Sequence, residues 1–146
     1  MCTNQNRQTG FTLIELLVAM TILAITATLA AGIYDGYVRS SKRTDAQLGM
    51  LQISNQLMKY RSNTGSYTDQ LSALGYTSIS PQGFYVMSIS LSATGFTVSA
   101  RPNPGTSQVK DYDCQYMAIT HNQVESSTDS HGNDSTTECW PTTDIN

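Results

Sequence analysis

The sequence predicts an α+β fold in which a long N-terminal helix packs on a small antiparallel sheet. Three features lead to this prediction: an uncharged segment near the start, an amphipathic stripe after it, and alternating apolar residues in the middle of the chain. With 146 residues, the chain is long enough for one folded domain but not for two of ordinary size.

The first feature is a run of 19 uncharged residues from Leu16 to Tyr34. As an α-helix this run would span about 29 Å, which is close to the hydrocarbon thickness of a bilayer. One interpretation is a cleaved export signal, because the small residues from Ala30 to Gly32 fit a cleavage site. Such cleavage would give a mature chain that starts near Ala31.

Glu15 argues against a plain export signal, because it lies inside the apolar segment that begins at Phe11. An ionised carboxylate in hydrocarbon costs about 2–3 kcal/mol or more, so such a residue is expected to have a function and a partner. The residues around it, from Gly10 to Val18, read GFTLIELLV.

This segment resembles the class III signal of type IV pilins and pseudopilins. The resemblance implies the type IV pilin fold, and it implies that a prepilin peptidase cuts between Gly10 and Phe11 to remove residues 1–10 as a leader. The same enzyme would methylate the new N-terminus at Phe11. The retained helix would anchor the subunit in the inner membrane by a single pass before the subunit joins the fibre.

In such a subunit Glu15 is the fifth residue of the mature chain. Its carboxylate can pair with the α-amino group of Phe11 on a neighbouring subunit, which would offset the cost of burying either charge alone. We therefore predict that Glu15 is an assembly contact.

The second feature extends the helix beyond the membrane to about Arg61. Residues 11–36 are then the transmembrane and fibre-core half of the helix, and residues 37–146 form a periplasmic globular domain. Apolar residues at spacings of four and three predict a stripe that packs on the sheet. The residues of this stripe are Ala46, Met50, Ile53, Leu57 and Tyr60.

The third feature predicts the sheet. The odd-numbered residues from Tyr85 to Leu91 are apolar, and apolar residues alternate again from Phe96 to Ala100, with the turn residues Ser92–Gly95 between the two runs. This pattern is typical of an antiparallel hairpin. A third strand is predicted around residues 113–120, and the polar segment from Ser126 to Thr137 is predicted to be a loop.

The cysteines predict a disulfide. Cys2 lies in the proposed leader, which leaves Cys114 and Cys139 as an even pair in an exported domain. Two free thiols or a metal-binding pair are the alternatives.

Four residues near the C-terminus have side chains that bind metals in other proteins, but their spacing fits neither an EF-hand nor a zinc site. We expect a solvated loop, no metal and no cofactor. The chain also lacks a nucleophile elbow and a phosphate-binding glycine loop, so we expect that it is not an enzyme. The four residues are His121, His131, Asp129 and Asp134.

Later segments resemble PilE-type minor pilins of Gram-negative bacteria: RTDAQ from Arg43, GSYTDQLSALGY from Gly65, QVKDYDC from Gln108 and the terminal pair Cys139-Trp140. The resemblance implies a structural minor subunit of a type IV pilus at the cell surface, which serves motility and adhesion, with DNA uptake as a further option. Its partners would be the prepilin peptidase, other pilins through the N-terminal helix, and an inner-membrane assembly platform.

Three alternative functions remain. A pseudopilin of a type II secretion system has the same N-terminus, although major pseudopilins usually bind calcium and lack this cysteine pair. An enzyme anchored by its signal would need a catalytic constellation. A DNA-uptake pilin would need a basic stripe, but the net charge is -3 and only Arg101 and Lys110 follow Arg61. We therefore expect no specific nucleic acid partner.

Overall fold

The computed structural model describes the backbone of residues 10–140, and the side chains of all of these except residues 30–33. The chain divides into two compact units after Tyr37, so the described part of the first unit is residues 10–37 and that of the second is residues 38–140. The proposed leader, apart from Gly10, lies outside the described residues.

Helix α1 extends from Leu13 to Thr64, which confirms the long N-terminal helix. Its N-terminal part is long and apolar enough to cross a membrane, and none of that apolar segment is buried in the protein. The helix ends at Gly65, whose φ of 84° is the left-handed conformation that glycine adopts at low cost. The Gly65 N–H donates to the Arg61 carbonyl oxygen at 2.8 Å and satisfies one of the last carbonyl groups.

The sheet has four antiparallel strands in the order β1-β2-β3-β4. The predicted hairpin is confirmed, with Leu91 opposite Phe96 beside the turn and Tyr85 opposite Pro102 at the far end. The strands are β1 (Tyr85–Leu91), β2 (Phe96–Pro102), β3 (Tyr116–Thr120) and β4 (Glu125–Thr128).

Strand β4 corrects the sequence analysis, which assigned Ser126 and the residues after it to a loop. The strand carries no apolar alternation, because its members are Glu, Ser, Ser and Thr. It forms through backbone pairing with β3, in which Tyr116 lies opposite Thr128. The short helix α2 (Thr136–Cys139) follows and packs against β4.

The core of the second unit lies between α1 and one face of the sheet. The predicted stripe is confirmed: Ala46, Met50, Ile53 and Leu57 are at most 2% exposed, and Tyr60 packs against them at the edge. The sheet contributes a matching set of buried apolar residues. These are Tyr85, Met87, Phe96, Val98, Ala100, Met117 and Ile119.

Candidate assembly and binding surfaces

The residues at the proposed cleavage site lie just before α1. Gly10 is exposed, and among residues 10–140 no atom beyond its chain neighbour lies within 4 Å of the position that a side chain would occupy there. Phe11 is 83% exposed. The geometry leaves this peptide bond open to a protease, while the cleavage itself stays a prediction.

Glu15 lies in the first turn of α1 and is hydrogen-bonded to its own chain. The backbone N–H and the hydroxyl of Thr12 donate to Glu15 Oε2 at 3.4 and 3.3 Å, and the Glu15 N–H donates to Thr12 Oγ1 at 3.4 Å. This reciprocal arrangement is a capping box. The capping box was not among the predictions from sequence, although Thr12 and Glu15 have the T-x-x-E spacing that signals it.

Within the second unit, α1 also has an exposed apolar surface outside the core stripe. Leu48, Leu51 and Met58 are 49%, 36% and 39% exposed, and the helical period places them about a third of a turn or more away from the core stripe. The described residues of the second unit leave this face uncovered. An exposed apolar face of this kind is typical of a protein contact surface.

Arg43 forms the centre of a polar network between α1 and the C-terminal segments. Its Nε and Nη2 donate to the two carboxylate oxygens of Asp111 at 2.8 and 2.6 Å, and Nη1 donates to the Glu138 carbonyl oxygen at 2.8 Å. Asp111 is 1% exposed. The hydrogen bonds with Asp111 raise the pKa of the Arg43 guanidinium above its usual value.

Gln108 and Tyr85 extend this network into the core. Gln108 Nε2 lies 2.8 Å from both the Tyr85 hydroxyl and Asp111 Oδ2, and it donates to the Arg39 carbonyl oxygen at 3.2 Å. Burial raises the pKa of the Tyr85 hydroxyl well above its usual value, so the group stays protonated. Gln47, one turn after Arg43, donates to the Cys139 carbonyl oxygen at 2.9 Å.

Asp45 holds a different loop on the same part of α1. Its buried carboxylate accepts hydrogen bonds from the Ser80 hydroxyl and from the backbone N–H groups of Gln82 and Phe84. These bonds fix the chain just before β1. The segment Arg43–Gln47 therefore fastens both the start of the sheet and the C-terminal segments to the helix.

The predicted disulfide between Cys114 and Cys139 is present, and both residues are buried. It closes a loop that contains β3, β4 and most of α2. The Trp140 indole N–H also donates to the Ser126 carbonyl oxygen at 3.2 Å. The C-terminal segment is thus fixed to the sheet although it contains few apolar residues.

The segment that follows β2 contacts one cationic side chain and carries a second one. Lys42 Nζ lies 2.8 Å from the Ser107 hydroxyl and 4.7 Å from the centre of the Phe84 ring. Ser107 begins a 3₁₀ turn that ends at the exposed Lys110.

Arg101, near the end of β2, lies over the ring of Tyr116 at 4.7 Å. A groove of about 460 Å³ lies beside this pair. Of the Lys and Arg side chains in residues 10–140, Arg43 alone has a carboxylate oxygen within 4.0 Å. Within residues 10–140, Arg101 is therefore a cation without an ion pair at the edge of the groove.

The residues considered as metal ligands have other contacts. His121 packs beside Phe96, with ring centres 6.2 Å apart, and against Gly95, whose missing side chain leaves room for the imidazole. The Asp129 carboxylate accepts hydrogen bonds from the backbone of His131 and from Asn133. Within the described part of the chain, no group of three or more His, Cys, Asp or Glu residues could hold a metal ion.

Two family models match the chain. Residues 5–31 match the prokaryotic N-terminal methylation motif, and residues 33–118 match the family described as type IV minor pilin ComP, DNA uptake sequence receptor. The chain belongs to the ComP family of type IV minor pilins. A comparison with curated proteins gave no match.

Membership of the ComP family confirms several predictions. The chain is a minor subunit of a type IV pilus with a prepilin leader, and it is anchored in the inner membrane before it enters the fibre. The leader motif also implies a prepilin peptidase and other pilins as partners. The expectation of no specific nucleic acid partner is corrected, because the family description names a DNA receptor.

Proposed function

We propose that this minor pilin binds DNA and contributes to its uptake by the pilus. The observation that carries the proposal is the ComP match over residues 33–118. This range includes the cations around the segment after β2, namely Lys42, Arg101 and Lys110, and the aromatic ring of Tyr116.

The distribution of charge supports this proposal better than the net charge suggested. Residues 38–140 contain seven Lys or Arg against eight Asp or Glu, so the domain is nearly neutral. The cations near the segment after β2 are free of ion pairs in residues 10–140 and are available to DNA phosphates. The Arg101–Tyr116 pair also offers a flat surface on which a base can stack.

The binding test uses the full-length mature chain in detergent micelles and fluorescently labelled duplex DNA. The double variant Arg101→Ala, Lys110→Ala should weaken binding. It should also make the salt dependence shallower: the magnitude of the slope of log affinity against log salt should decrease by about two, because each cation that neutralises a phosphate contributes about one to that magnitude. Lys59→Ala is the matched control, because Lys59 is an exposed cation on α1 with no bond to the segment after β2. Unchanged affinity in the double variant would contradict the proposal.

We also propose the route by which the subunit enters the fibre. The peptidase cleaves between Gly10 and Phe11 and methylates Phe11, residues 11–36 act as anchor and fibre core, and residues 37–146 form the periplasmic domain. The division of the chain after Tyr37 supports this boundary. An inner-membrane assembly platform then moves the subunit into the fibre, where Glu15 pairs with the neighbouring N-terminus.

A branched side chain at the cleavage site tests this route. Gly10→Val should block removal of the leader, because the added side chain would not fit a protease subsite shaped for glycine, and the uncut precursor should accumulate in the membrane. Gly36→Val is the matched control, since Gly36 is also exposed and, apart from the adjacent helix backbone, no atom that the structure describes lies within 4 Å of the position of an added side chain. Normal processing of Gly10→Val on a gel would place the cut elsewhere.

The proposal gives the subunit no catalytic role, because pilins of this family are structural subunits. The ComP match also favours a pilus subunit over the pseudopilin of a type II secretion system that the N-terminus alone allows.

A further inference from the structure

Two side chains of α1 bind the segments that carry the disulfide cysteines, and one of them binds both segments. Arg43 binds the carboxylate of Asp111, three residues before Cys114, and the carbonyl oxygen of Glu138, directly before Cys139. Gln47 binds the carbonyl oxygen of Cys139 itself. One guanidinium group therefore joins the two segments that carry the cysteines.

These hydrogen bonds involve no sulfur atom, so they can also form before the cysteines are oxidised. In the reduced protein the two thiols are separated by 25 residues, and only non-covalent contacts hold them together. Any contact that holds both segments on α1 raises the effective concentration of one thiol near the other. By linkage, the same contact makes the disulfide harder to reduce once it has formed.

We propose that Arg43 is a positioning residue for disulfide formation: it docks the segments of Cys114 and Cys139 on α1 before oxidation and so sets how readily the pair oxidises. The proposal concerns the maturation of the subunit and is independent of DNA binding. It implies an oxidant partner of the protein-disulfide class in the periplasm.

The oxidation itself is ordinary thiol–disulfide exchange. The thiolate of one cysteine attacks the oxidant's disulfide, its S–S bond breaks, and a mixed disulfide forms. The thiolate of the second cysteine then attacks the first cysteine's sulfur and displaces the oxidant. In total two electrons and two protons pass from the Cys114–Cys139 pair to the oxidant, which leaves as a dithiol.

Arginine suits this role because its donors lie in a fixed fork. Two of them bind both oxygens of a carboxylate that is 1% exposed, and a third reaches a carbonyl oxygen on a different segment. A lysine ammonium carries its donors on one nitrogen atom and cannot bind both carboxylate oxygens and the distant carbonyl oxygen in this way. Without the guanidinium, the buried Asp111 carboxylate would have no cation, which favours undocking of its segment.

The experiment measures the equilibrium between reduced and oxidised protein in glutathione buffers. It uses the full-length chain in detergent micelles, with Cys2→Ser in every variant so that Cys114 and Cys139 supply the only thiols. Thiols are trapped by alkylation and counted by mass spectrometry. Arg43→Met should lower the equilibrium constant for disulfide formation by at least about tenfold, as expected when charge-assisted hydrogen bonds are removed.

Two controls separate positioning from a general decrease in stability. Arg39→Met changes an exposed arginine of α1 that has no side-chain hydrogen bond in residues 10–140. Asp45→Asn disturbs a buried carboxylate on the same part of α1 that binds the loop before β1 instead of the cysteine segments. Both should keep the wild-type constant, even where Asp45→Asn lowers the melting temperature.

The proposal is overturned if Arg43→Met keeps the wild-type constant, or if Asp45→Asn lowers the constant as much. Arg43→Lys should have an equilibrium constant for disulfide formation between that of Arg43→Met and that of wild type. If Arg43→Met fails to fold, Gln47→Leu decides the question: removal of its bond to the Cys139 carbonyl oxygen should lower the constant in the same direction but less. A wild-type constant for Gln47→Leu would then overturn the proposal.

Discussion

The two units of the chain use apolar residues in opposite ways. In residues 10–37 the apolar side chains stay open, as with Leu17 and Ile22 at 53% and 56% exposure. In residues 38–140 Met50 and Leu57 are completely buried, although they belong to the same helix α1. The first unit therefore needs lipid or other subunits to cover it, whereas the second covers its own apolar surface.

Polar groups show the same contrast. Glu15 has Thr12 as its partner in the isolated subunit, through long hydrogen bonds of 3.3 to 3.4 Å. Asp111 is bound by Arg43 at 2.6 and 2.8 Å and also by Gln108. The Glu15 carboxylate of the first unit is thus held weakly enough to exchange its partner, while the Asp111 carboxylate of the second unit has all its partners within its own unit.

The largest expected effect comes from Glu15→Ala, which should stop incorporation into fibres while cleavage and membrane insertion continue. The apolar side chain suits lipid, but the α-amino group of Phe11 on the adjacent subunit then has no partner in the apolar fibre core. The measurement is the ratio of this subunit in sheared pili to that in the membrane fraction.

Glu15→Gln separates charge from shape in this test, and we expect it to behave more like Glu15→Ala than like wild type. The folding of the second unit should be unaffected in both variants. Equal incorporation of Glu15→Ala and wild type would mean that the acid is not an assembly contact.

The second-largest effect is expected on the stability of the second unit. Leu57→Ala removes a fully buried side chain between α1 and the sheet and should lower the free energy of unfolding by about 2–5 kcal/mol. Chemical denaturation of the full-length protein in micelles measures this decrease. Membrane insertion should stay normal, and a decrease below about 0.5 kcal/mol would show that the site is not part of the core.

Periodicity predicted the parts of the fold in which one face is apolar and the other polar. The stripe that includes Ala46 and Leu57 and the hairpin from Tyr85 belong to this class. Strand β4 does not, because Ser126 and Thr128 pair through the backbone and give no apolar signal.

Long-range polar contacts were equally hidden from the sequence. Arg43 and Asp111 are 68 residues apart, and nothing in their local sequence links them. The charge count was a poor guide to the proposed DNA binding for the same reason: it could not show that, within residues 10–140, Arg43 alone is neutralised while Arg101 and Lys110 have no carboxylate nearby. The capping box of Thr12 and Glu15, in contrast, was visible in the sequence.

A smaller effect is expected on the uncovered face of α1. Leu51→Ser should leave the stability of the second unit within about 0.5 kcal/mol of wild type, because Leu51 is 36% exposed and outside the core. It should nevertheless reduce the amount of subunit in sheared pili, if this face contacts a neighbouring pilin as its exposed leucines suggest. Leu57→Ala is the matched comparison on the core face of α1, and normal incorporation of Leu51→Ser would assign the face of Leu51 to solvent.

The smallest effect concerns the polar loop after β4 and depends on pH. Hydrogen bonds from the Asn133 side chain and from the backbone of Asn133 and His131 hold the pKa of Asp129 below its usual value, and Thr136 has the same effect on the pKa of Asp134. The folded loop thus favours the ionised form of both carboxylates. Their contribution to the stability of the loop is complete above the ordinary aspartate pKa of 3.8 and disappears as the pH falls through the lowered value.

Hydrogen exchange at the His131 and Asn133 amides, corrected for intrinsic rates, should show protection that disappears as the pH falls below about 4, while core amides such as Val98 stay protected. Asp129→Asn should remove part of this dependence, and Asp69→Asn, on an exposed loop elsewhere, should not. Constant protection of the two amides down to about pH 2 would mean that the backbone hydrogen bonds of the loop, such as Asp129 N–H to the Asn133 carbonyl oxygen, hold it without its carboxylates.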